Sequence, residues 1–336
     1  MRDPRPIPLV VRTAARMLPA LLALSLAPPA AAQQDPAAAF PAKPLRLIVP
    51  FLAGGAPDIV ARIVAKKLTE SWGAPVIIDN RTGATGNIGM KLVVMSAPDG
   101  YTLGELIISH SVNAAVLGSK MPYDILRDLT PITQLVGISY VLVANAELPV
   151  KSVTDLVAHA GANPGAVRYG SSGTGGVIHL AGELLGVQAK VKMTHVPYKG
   201  NAGAITDVAG GRIEMMFTSV TLSKSFIAKG QLRALAVTSQ ARLPSVPDLP
   251  TMQEAGVPGY DVTGWYGVAG PAGMPAAIVE KLNREMVRAV KLPDTRQQLD
   301  RAGLLPVGST PAQFAALLRA EDEKWRNVVQ AAGIAR

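Results

Sequence analysis

The chain has 336 residues, a formal net charge of +9 and no cysteine, which excludes disulfides, thiolate metal sites, a cysteine nucleophile and a lipid-modified cysteine. Its basic residues are scattered and have few aromatic neighbours, so a nucleic-acid partner is not expected and the charge better suits attraction of anionic solutes. The length exceeds that of a typical single domain and predicts two lobes.

Residues 1–32 have the pattern of a cleavable secretory signal peptide. Four arginines between Arg2 and Arg16 precede an apolar run from Leu18 to Ala27, and three alanines then favour cleavage near Ala32. The run is too short to span a bilayer, and no later segment offers eighteen uninterrupted apolar residues. A mitochondrial presequence is the alternative, although three early prolines disfavour its amphipathic helix. We therefore expect a periplasmic protein without a membrane anchor.

From residue 45 onward, short apolar runs alternate with helical patterns, which predicts an α/β fold built from βαβ units. Strands are expected at 45–51, 76–78, 101–108, 139–144, 167–170, 193–197, 213–217 and 232–237. Helices are expected between Pro57 and Gly73, from Ser152, and at 177–186, 201–210, 222–229, 275–291, 294–302 and 310–332. The last helix opens with a capping box and is expected to return to the first lobe. The predicted lobes are 33–137 plus 245–336, and 138–244.

Three glycine-rich loops follow predicted strands and precede helices. They are Ala53 to Ala56, Gly83 to Gly86, and Ser171 to Gly176. In an open parallel sheet such loops lie at the carboxyl ends of the strands, where ligands bind, and the helix N-termini there can hold a carboxylate. The alternative is that each set of glycines only makes a tight strand-to-helix turn.

Nucleotide-binding and enzyme motifs fit these loops poorly. The dinucleotide fingerprint fails because Thr85 and Ile178 replace required glycines, and no phosphate loop of the NTPase type is present. A hydrolase using a Ser-His pair stays open as an alternative, although Thr174 replaces the closing glycine of a nucleophile elbow around Ser172. His179 lies near the start of the helix after the third loop and either faces the cleft or is partly buried. Metal-binding spacings are absent, so no metal or other cofactor is expected.

Several motifs occur in the order found in one family. The chain resembles the Bug family, the solute-binding proteins of tripartite tricarboxylate transporters, from about residue 41 to its C-terminus. The matching segments are Lys43 to Phe51 with Gly54, Gly55 and Asp58; Asp79 to Gly89; Pro98 to Leu103; Pro122 to Asp124; Asp128 to Pro131; His195 to Gly200; Leu232 to Thr238; and Pro250 to Gly256.

The resemblance implies a two-lobed periplasmic-binding-protein fold of the type II-like class, in which each lobe is a mostly parallel sheet flanked by helices and the ligand lies in the interlobe cleft. It also implies that Phe51 to Asp58 and Ser171 to Thr174 clasp one carboxylate. Amino-acid-binding relatives carry an acidic residue where this chain has Thr218-Ser219, so we expect a carboxylate without an α-amino group, either a dicarboxylate or an aromatic acid.

The predicted site contains no catalytic residue. The residues expected to bind the ligand are Phe51, Leu52, Gly54, Gly55, Asp58, Gly83, Ala84, Ser109, His110, Ser171, Ser172, Gly173, Thr174, His179, Thr218 and Ser219. The expected partners are the organic carboxylate and an inner-membrane permease of a tripartite transporter, with the protein itself a monomer. The alternative to a transport role is presentation of the ligand to a membrane sensor.

Overall fold

The computed structural model describes residues 37–333, so the predicted signal peptide and its cleavage near Ala32 lie outside the described residues. The strands are β1 (Leu45–Val49), β2 (Val76–Asn80), β3 (Thr102–Ile107), β4 (Leu129–Asn145), β5 (Arg168–Ser171), β6 (Thr194–Pro197), β7 (Met215–Ser219), β8 (Leu232–Val237), β9 (Thr263–Pro271) and β10 (Leu305–Pro306). The helices are α1 (Ala56–Trp72), α2 (Asn87–Val94), α3 (Ile108–Leu117), α4 (Val153–Ala162), α5 (Val177–Ala189), α6 (Asn201–Ala209), α7 (Val220–Ala228), α8 (Ala276–Lys291), α9 (Pro293–Arg301) and α10 (Pro311–Ala331). Within residues 37–333, no helix is both long and apolar enough to cross a bilayer.

The strands pair in two groups that share β4. In the first group, β2, β1 and β3 are parallel, and β9, β4 and β10 follow as antiparallel neighbours. In the second, β6, β5 and β7 are parallel, while β4 pairs antiparallel with β7 and β8. The residues of β4 up to Ser139 pair with β9, and those from Tyr140 pair with β7 and β8.

The predicted two-lobed α/β fold is confirmed, but the sheets are mixed rather than mostly parallel. Parallel pairing is confined to strands linked by crossover helices, as in β1–α1–β2 and β5–α5–β6. The long strand β4 runs from one group directly into the other, and β9 pairs beside it. These two strands therefore lie outside the βαβ units and run antiparallel to their neighbours.

Three elements are absent from the sequence prediction, and one strand is longer than expected. β4 was expected only at 139–144, while β9, β10 and α3 were not predicted. β9 contains three glycines, which lower strand propensity. Gly267 is required by packing, because a Cβ there would lie 2.3 Å from the Phe314 ring and 2.8 Å from the Thr133 carbonyl oxygen.

The C-terminal helix α10 begins with the predicted capping box. Thr310 Oγ1 accepts the Gln313 N–H at 3.2 Å, and Gln313 Oε1 accepts the Thr310 N–H at 2.9 Å. Phe314 packs edge-on against Trp265 of β9, with ring centroids 5.5 Å apart. The helix therefore packs against the first strand group, and it also contacts α5 of the second.

Candidate ligand-binding cleft

The first loop, from Phe51 to Asp58, is held by a buried carboxylate. Asp58 is 2% exposed; its Oδ2 accepts the Gly54 N–H and the Arg62 Nε–H, each at 2.8 Å, and its Oδ1 accepts from Asn80 Nδ2 at 3.0 Å. Burial alone would raise the pKa of Asp58, but these donors outweigh it and hold the pKa below its usual value. Asn80 also donates to the Phe51 carbonyl at 3.0 Å. Asp58 therefore shapes the loop as an ionised acceptor.

The same loop leaves the start of α1 open to an anion. Gly55 is the N-cap and has no side chain to bond the free N–H groups of the first turn. The 17-residue helix adds its partial positive charge at this end. Leu52 is 75% exposed, beside these groups in the loop. The arrangement suits a ligand that carries both a carboxylate and an apolar part.

The second loop has an unusual backbone. Gly83 has φ +122°, and Ala84 and Thr85 follow with φ 47° and 55°. The left-handed conformation is rare for a β-branched residue such as Thr85. Such strain is often retained at binding sites, where the surrounding structure fixes it. The three residues therefore form a rigid turn at the end of β2.

His110 brings the first and second loops together. A Cβ at Gly86 would lie 2.6 Å from His110 Nε2 and 3.1 Å from the tip of the Phe51 ring. The Phe51 and His110 rings meet edge-on at 5.9 Å. Asn113, one turn further along α3, donates to the Thr85 carbonyl at 3.3 Å. The sequence analysis expected Phe51 and His110 to bind the ligand, and the structure brings them together at the N-terminus of α3.

The His110 ring is fully buried and neutral. Its Nδ1 accepts the Ile107 N–H at 3.0 Å, while its Nε2 has no hydrogen-bond partner among residues 37–333. Burial lowers the pKa of His110 to about 4, only partly opposed by nearby backbone groups. Ser109, its neighbour in the first turn of α3, is half-buried. His110 therefore supports the loops as an uncharged group.

The third loop is fixed from inside by histidines. Ser171 is fully buried, and its Oγ lies 2.6 Å from His195 Nε2 and accepts the Gly173 N–H at 3.1 Å. His179 is also buried, so it lies beneath the loop instead of facing solvent. Ser172 and Thr174 are exposed at the loop surface. These two residues, with the nearby backbone, are the groups that a ligand can reach.

Thr218 and Ser219 end β7 in the same half of the molecule. Ser219 Oγ accepts the Leu222 N–H at 3.2 Å and so caps α7. Thr218 is fully buried, and its Oγ1 has no hydrogen-bond partner among the described residues. This strand end thus carries two hydroxyl groups and no acidic side chain.

Helix α3 links the two sets of loops. His110 at its start contacts the first and second loops, and a Cβ at Gly175 in the third loop would lie 3.8 Å from Val116 near its end. The six residue steps from His110 to Val116 correspond to about 9 Å along a helix. Within residues 37–333, no hydrogen bond joins the 51–58 loop to the 171–174 loop. The two loops therefore flank α3 without a direct bond.

One sizeable hollow is lined by none of the residues of these loops. It has a volume of about 490 Å³ and lies between α3, the 118–128 segment and α10. Asp128 pairs with Arg127 and Asp322 with Arg326 along its lining. In the described part of the chain, no group of three or more acidic or histidine side chains could hold a metal ion.

Sequence reasoning missed His195, Glu183 and Tyr169 as parts of the site. His195 and Tyr169 lie on neighbouring parallel strands, β6 and β5, and are register partners. Glu183 lies one turn after His179 on α5. Only the strand-end position of His195 could have signalled its role, because the contacts depend on the register between strands.

Glu105 on β3 was also missed, and its surroundings are unusual. It is fully buried opposite Val268 of β9, and neither carboxyl oxygen has a hydrogen-bond partner among residues 37–333. Burial raises the pKa of Glu105 well above its usual value, and the negative charge of Asp58 adds to this effect. Glu105 is therefore a neutral acid in the folded protein.

We expect Glu105→Gln to match the wild type in stability near pH 4 and to exceed it increasingly as the pH rises. The unfolded chain ionises Glu105 above about pH 4.3, while the folded protein keeps the proton, so wild-type stability declines with pH by at most about 1.4 kcal/mol per unit from this group. Urea unfolding between pH 4 and 8 measures the difference. Glu280→Gln, at an exposed position of α8, is the control. A stability difference that does not change with pH contradicts the assignment.

The model of one known protein family matches most of the chain. The sequence model of the tripartite tricarboxylate transporter family receptor matches residues 60–334. Protein BugT of Bordetella pertussis is 35% identical over 297 residues, which cover 88% of this chain and 90% of BugT.

Two solved structures with named ligands are similar over most of the chain. The protein Rpa4515 of R. palustris, solved with adipate, has a TM-score of 0.73 and 35% identity, covering 88% of this chain and 99% of its own. MatC (Rpa3494) from Rhodopseudomonas palustris, with bound malate, has a TM-score of 0.69 and 31% identity, covering 86% of this chain and all of its own. The similarity therefore includes both lobes.

Proposed function

Because this chain belongs to the receptor family of tripartite tricarboxylate transporters, the periplasmic solute-binding proteins of the Bug family, we propose that its own ligand is a small dicarboxylate. The chain acts as a carboxylate-binding transport receptor of that family. It delivers the captured acid to an inner-membrane permease. The observation that carries the proposal is the first loop, where the acid Asp58 is paired and the α1 N-terminus is open.

The first and third loops each leave hydrogen-bond donors free to bind an anion. The first loop offers the uncapped amides of α1, and the third offers the exposed Ser172 and Thr174 with their backbone. Backbone amides and hydroxyls bind one carboxylate without an arginine, which allows release to a permease. Affinity in the micromolar range, about −8 kcal/mol, suits capture followed by release.

A dicarboxylate is favoured over an amino acid. Adipate and malate, the ligands named for two similar structures, are both dicarboxylates. At the end of β7, Thr218 and Ser219 provide no negative charge for an α-ammonium group, and an unpaired buried charge is costly to desolvate. An aromatic acid is the alternative that the exposed, apolar Leu52 would accommodate.

Capture by hinge closure accounts for the division of donors between lobes. We propose lobes of 33–137 plus 245–336 and of 138–244, with β4 and the segment before β9 as the two crossings. A carboxylate that contacts both lobes favours the closed state because only that state supplies donors from both sides. The mature chain begins after cleavage near Ala32 and acts as a monomer.

A hydrolase is the second candidate, because Ser171 and His195 lie within hydrogen-bond distance at 2.6 Å. A nucleophile must reach its substrate, and Ser171 is fully buried. Its Oγ also receives the Gly173 N–H. We therefore infer that the pair shapes the loop and that the protein catalyses no reaction.

A thermal-shift screen of the refolded mature protein tests the proposal. Ligands are mono-, di- and tricarboxylates, aromatic acids, amino acids and sugars. A ligand at a hundred times its dissociation constant adds about 2.7 kcal/mol and raises the melting temperature by several degrees. We expect shifts with adipate or another dicarboxylate and none with glutamate, aspartate or sugars. Shifts confined to amino acids, or no shift with any anion, contradict the proposal.

A further inference from the structure

Two histidines hold the third loop, defined here as the anion loop, Ser171 to Gly176. His195 from β6 contacts Ser171 Oγ, and His179 from α5 accepts the Gly175 N–H on its Nδ1 at 3.0 Å. The two imidazole rings lie against each other with centroids 3.8 Å apart and planes tilted by 30°. The two ends of the loop are thus hydrogen-bonded to two histidine rings that contact each other.

The bond from Gly175 fixes the tautomer of the neutral His179 ring. An acceptor nitrogen carries no proton, so the single ring proton of neutral His179 lies on Nε2. Nε2 lies 3.5 Å from Glu183 Oε1, which suits that arrangement. A second proton on Nδ1 would face the Gly175 N–H and replace a hydrogen bond with two opposed donors.

The short distance between the two rings limits the number of protons that the pair can hold. Two imidazolium rings at 3.8 Å would repel each other, so the pair binds one proton more easily than two. Burial lowers the pKa of His195 to about 4; the charge of His179 adds to this, and Glu183 opposes it. Any proton that enters the pair is therefore shared with the ring that holds Gly175.

The surroundings of the pair hold a half-buried carboxylate, Glu183. Gly182 has no Cβ, which would lie 2.2 Å from the Tyr169 ring, and Tyr169 can therefore donate its hydroxyl proton to Glu183. Burial would raise the pKa of Glu183, but bonds from His179 and Tyr169 hold it below its usual value. A hollow of about 350 Å³ borders Glu183 on its outer side. The titratable and charged groups around the pair are Tyr169, Glu183, Lys190 and Lys192, with Tyr260 next to Tyr169.

We propose that His179 and His195 are positioning residues for the anion loop, and that a proton taken up by the pair releases the loop and lowers its affinity for a carboxylate. Neither histidine touches the ligand. The affinity part rests on the proposed function, whereas the positioning part concerns the ligand-free protein. The receptor consequently binds its acid at neutral pH and loses it on acidification.

The first test follows the Gly175 amide in the ligand-free mature protein by NMR hydrogen exchange. His179→Leu removes the acceptor, and we expect exchange at least about tenfold faster than in the wild type. His179→Asn places an amide oxygen near the position of Nδ1 and should restore protection. On acidification from pH 7.5 to 4, the wild-type protection factor should fall while that of His179→Asn stays constant. Equal protection in all three proteins overturns the positioning role.

The second test compares adipate affinity of the wild type and the His179→Asn/His195→Gln double variant at pH 7.5 and 4. Ordinary carboxyl groups titrate near the lower pH, and the double variant reports that effect alone. We expect the ratio of wild-type to variant dissociation constants to rise about twofold or more at pH 4, where about half of His195 is protonated. A constant ratio overturns the coupling. If adipate binds neither protein at pH 7.5, the proposed ligand class fails, while the exchange result still decides the positioning role.

Discussion

Trp325→Ala should lower the free energy of unfolding by about 3–5 kcal/mol, the usual cost of truncating a large buried aromatic side chain. Trp325 on α10 is fully buried, and its Nε1 donates to Glu321 Oε2 at 2.7 Å. Removing the ring leaves a cavity and an acceptor without its donor. Glu321 is itself almost fully buried, so water compensates little. Urea unfolding of the mature protein measures the loss.

Asn327→Ala is the matched control for Trp325, because Asn327 is exposed two residues further along the same helix. Its change should stay within about 0.5 kcal/mol. Similar losses of unfolding free energy in the two variants would mean that the Trp325 ring contributes no more to stability than an exposed side chain. That result would contradict the packing of α10 against β9 and α5.

Asp58→Ala should weaken carboxylate binding about 10- to 100-fold. The change deprives Gly54, Arg62 and Asn80 of their shared acceptor, and hydrogen bonds to a charged group contribute about 1.5–3 kcal/mol each. The same change removes a negative charge and leaves Arg62 unpaired, and both effects favour binding of an anion. This gain in binding free energy should stay below about 1 kcal/mol because the Arg62 side chain is 54% exposed and its charge is screened by water. Loss of loop shape therefore dominates.

Asp58→Asn separates the two effects, because it removes the charge and keeps an acceptor for the Gly54 N–H. We expect its affinity to lie between those of the wild type and the alanine variant, because its NH2 group then faces the Asn80 Nδ2 donor. Titration calorimetry at pH 7 uses the carboxylate with the largest shift in the screen. The pKa of Asp58 is lowered in the folded protein, so its contribution is present above about pH 3.9 and is lost as the pH falls through the lowered value. An alanine variant that binds more tightly would show that charge, not loop shape, controls affinity.

Much of the chain order was predictable because local signals agree with the fold. The run from Leu45 ends in Gly54-Gly55, and Pro57 begins a helix that Gly73 ends with φ +69°. The capping box at Thr310 likewise fixes the start of α10. The loops at strand ends followed from the βαβ pattern alone, and the structure places the first two around His110.

The remaining features depend on distant contacts that leave little local signal. Gly267 weakens the strand pattern of β9 locally, yet packing against Phe314 requires a glycine there. Helix α3 begins directly after β3, so no turn residue marks the change. The pairing of His179 with His195 depends on β6 lying beside β5, which residue spacing does not specify. Glu105 lies in an apolar strand and breaks the pattern that identifies a core position.

The most direct test of carboxylate capture is a calorimetric titration of the mature protein with the acid that gives the largest thermal shift, beside its methyl ester. The account predicts micromolar binding of the acid and at least about 100-fold weaker binding of the ester, because the loops recognise a negative charge. Equal binding of acid and ester, or binding of neither, would contradict it.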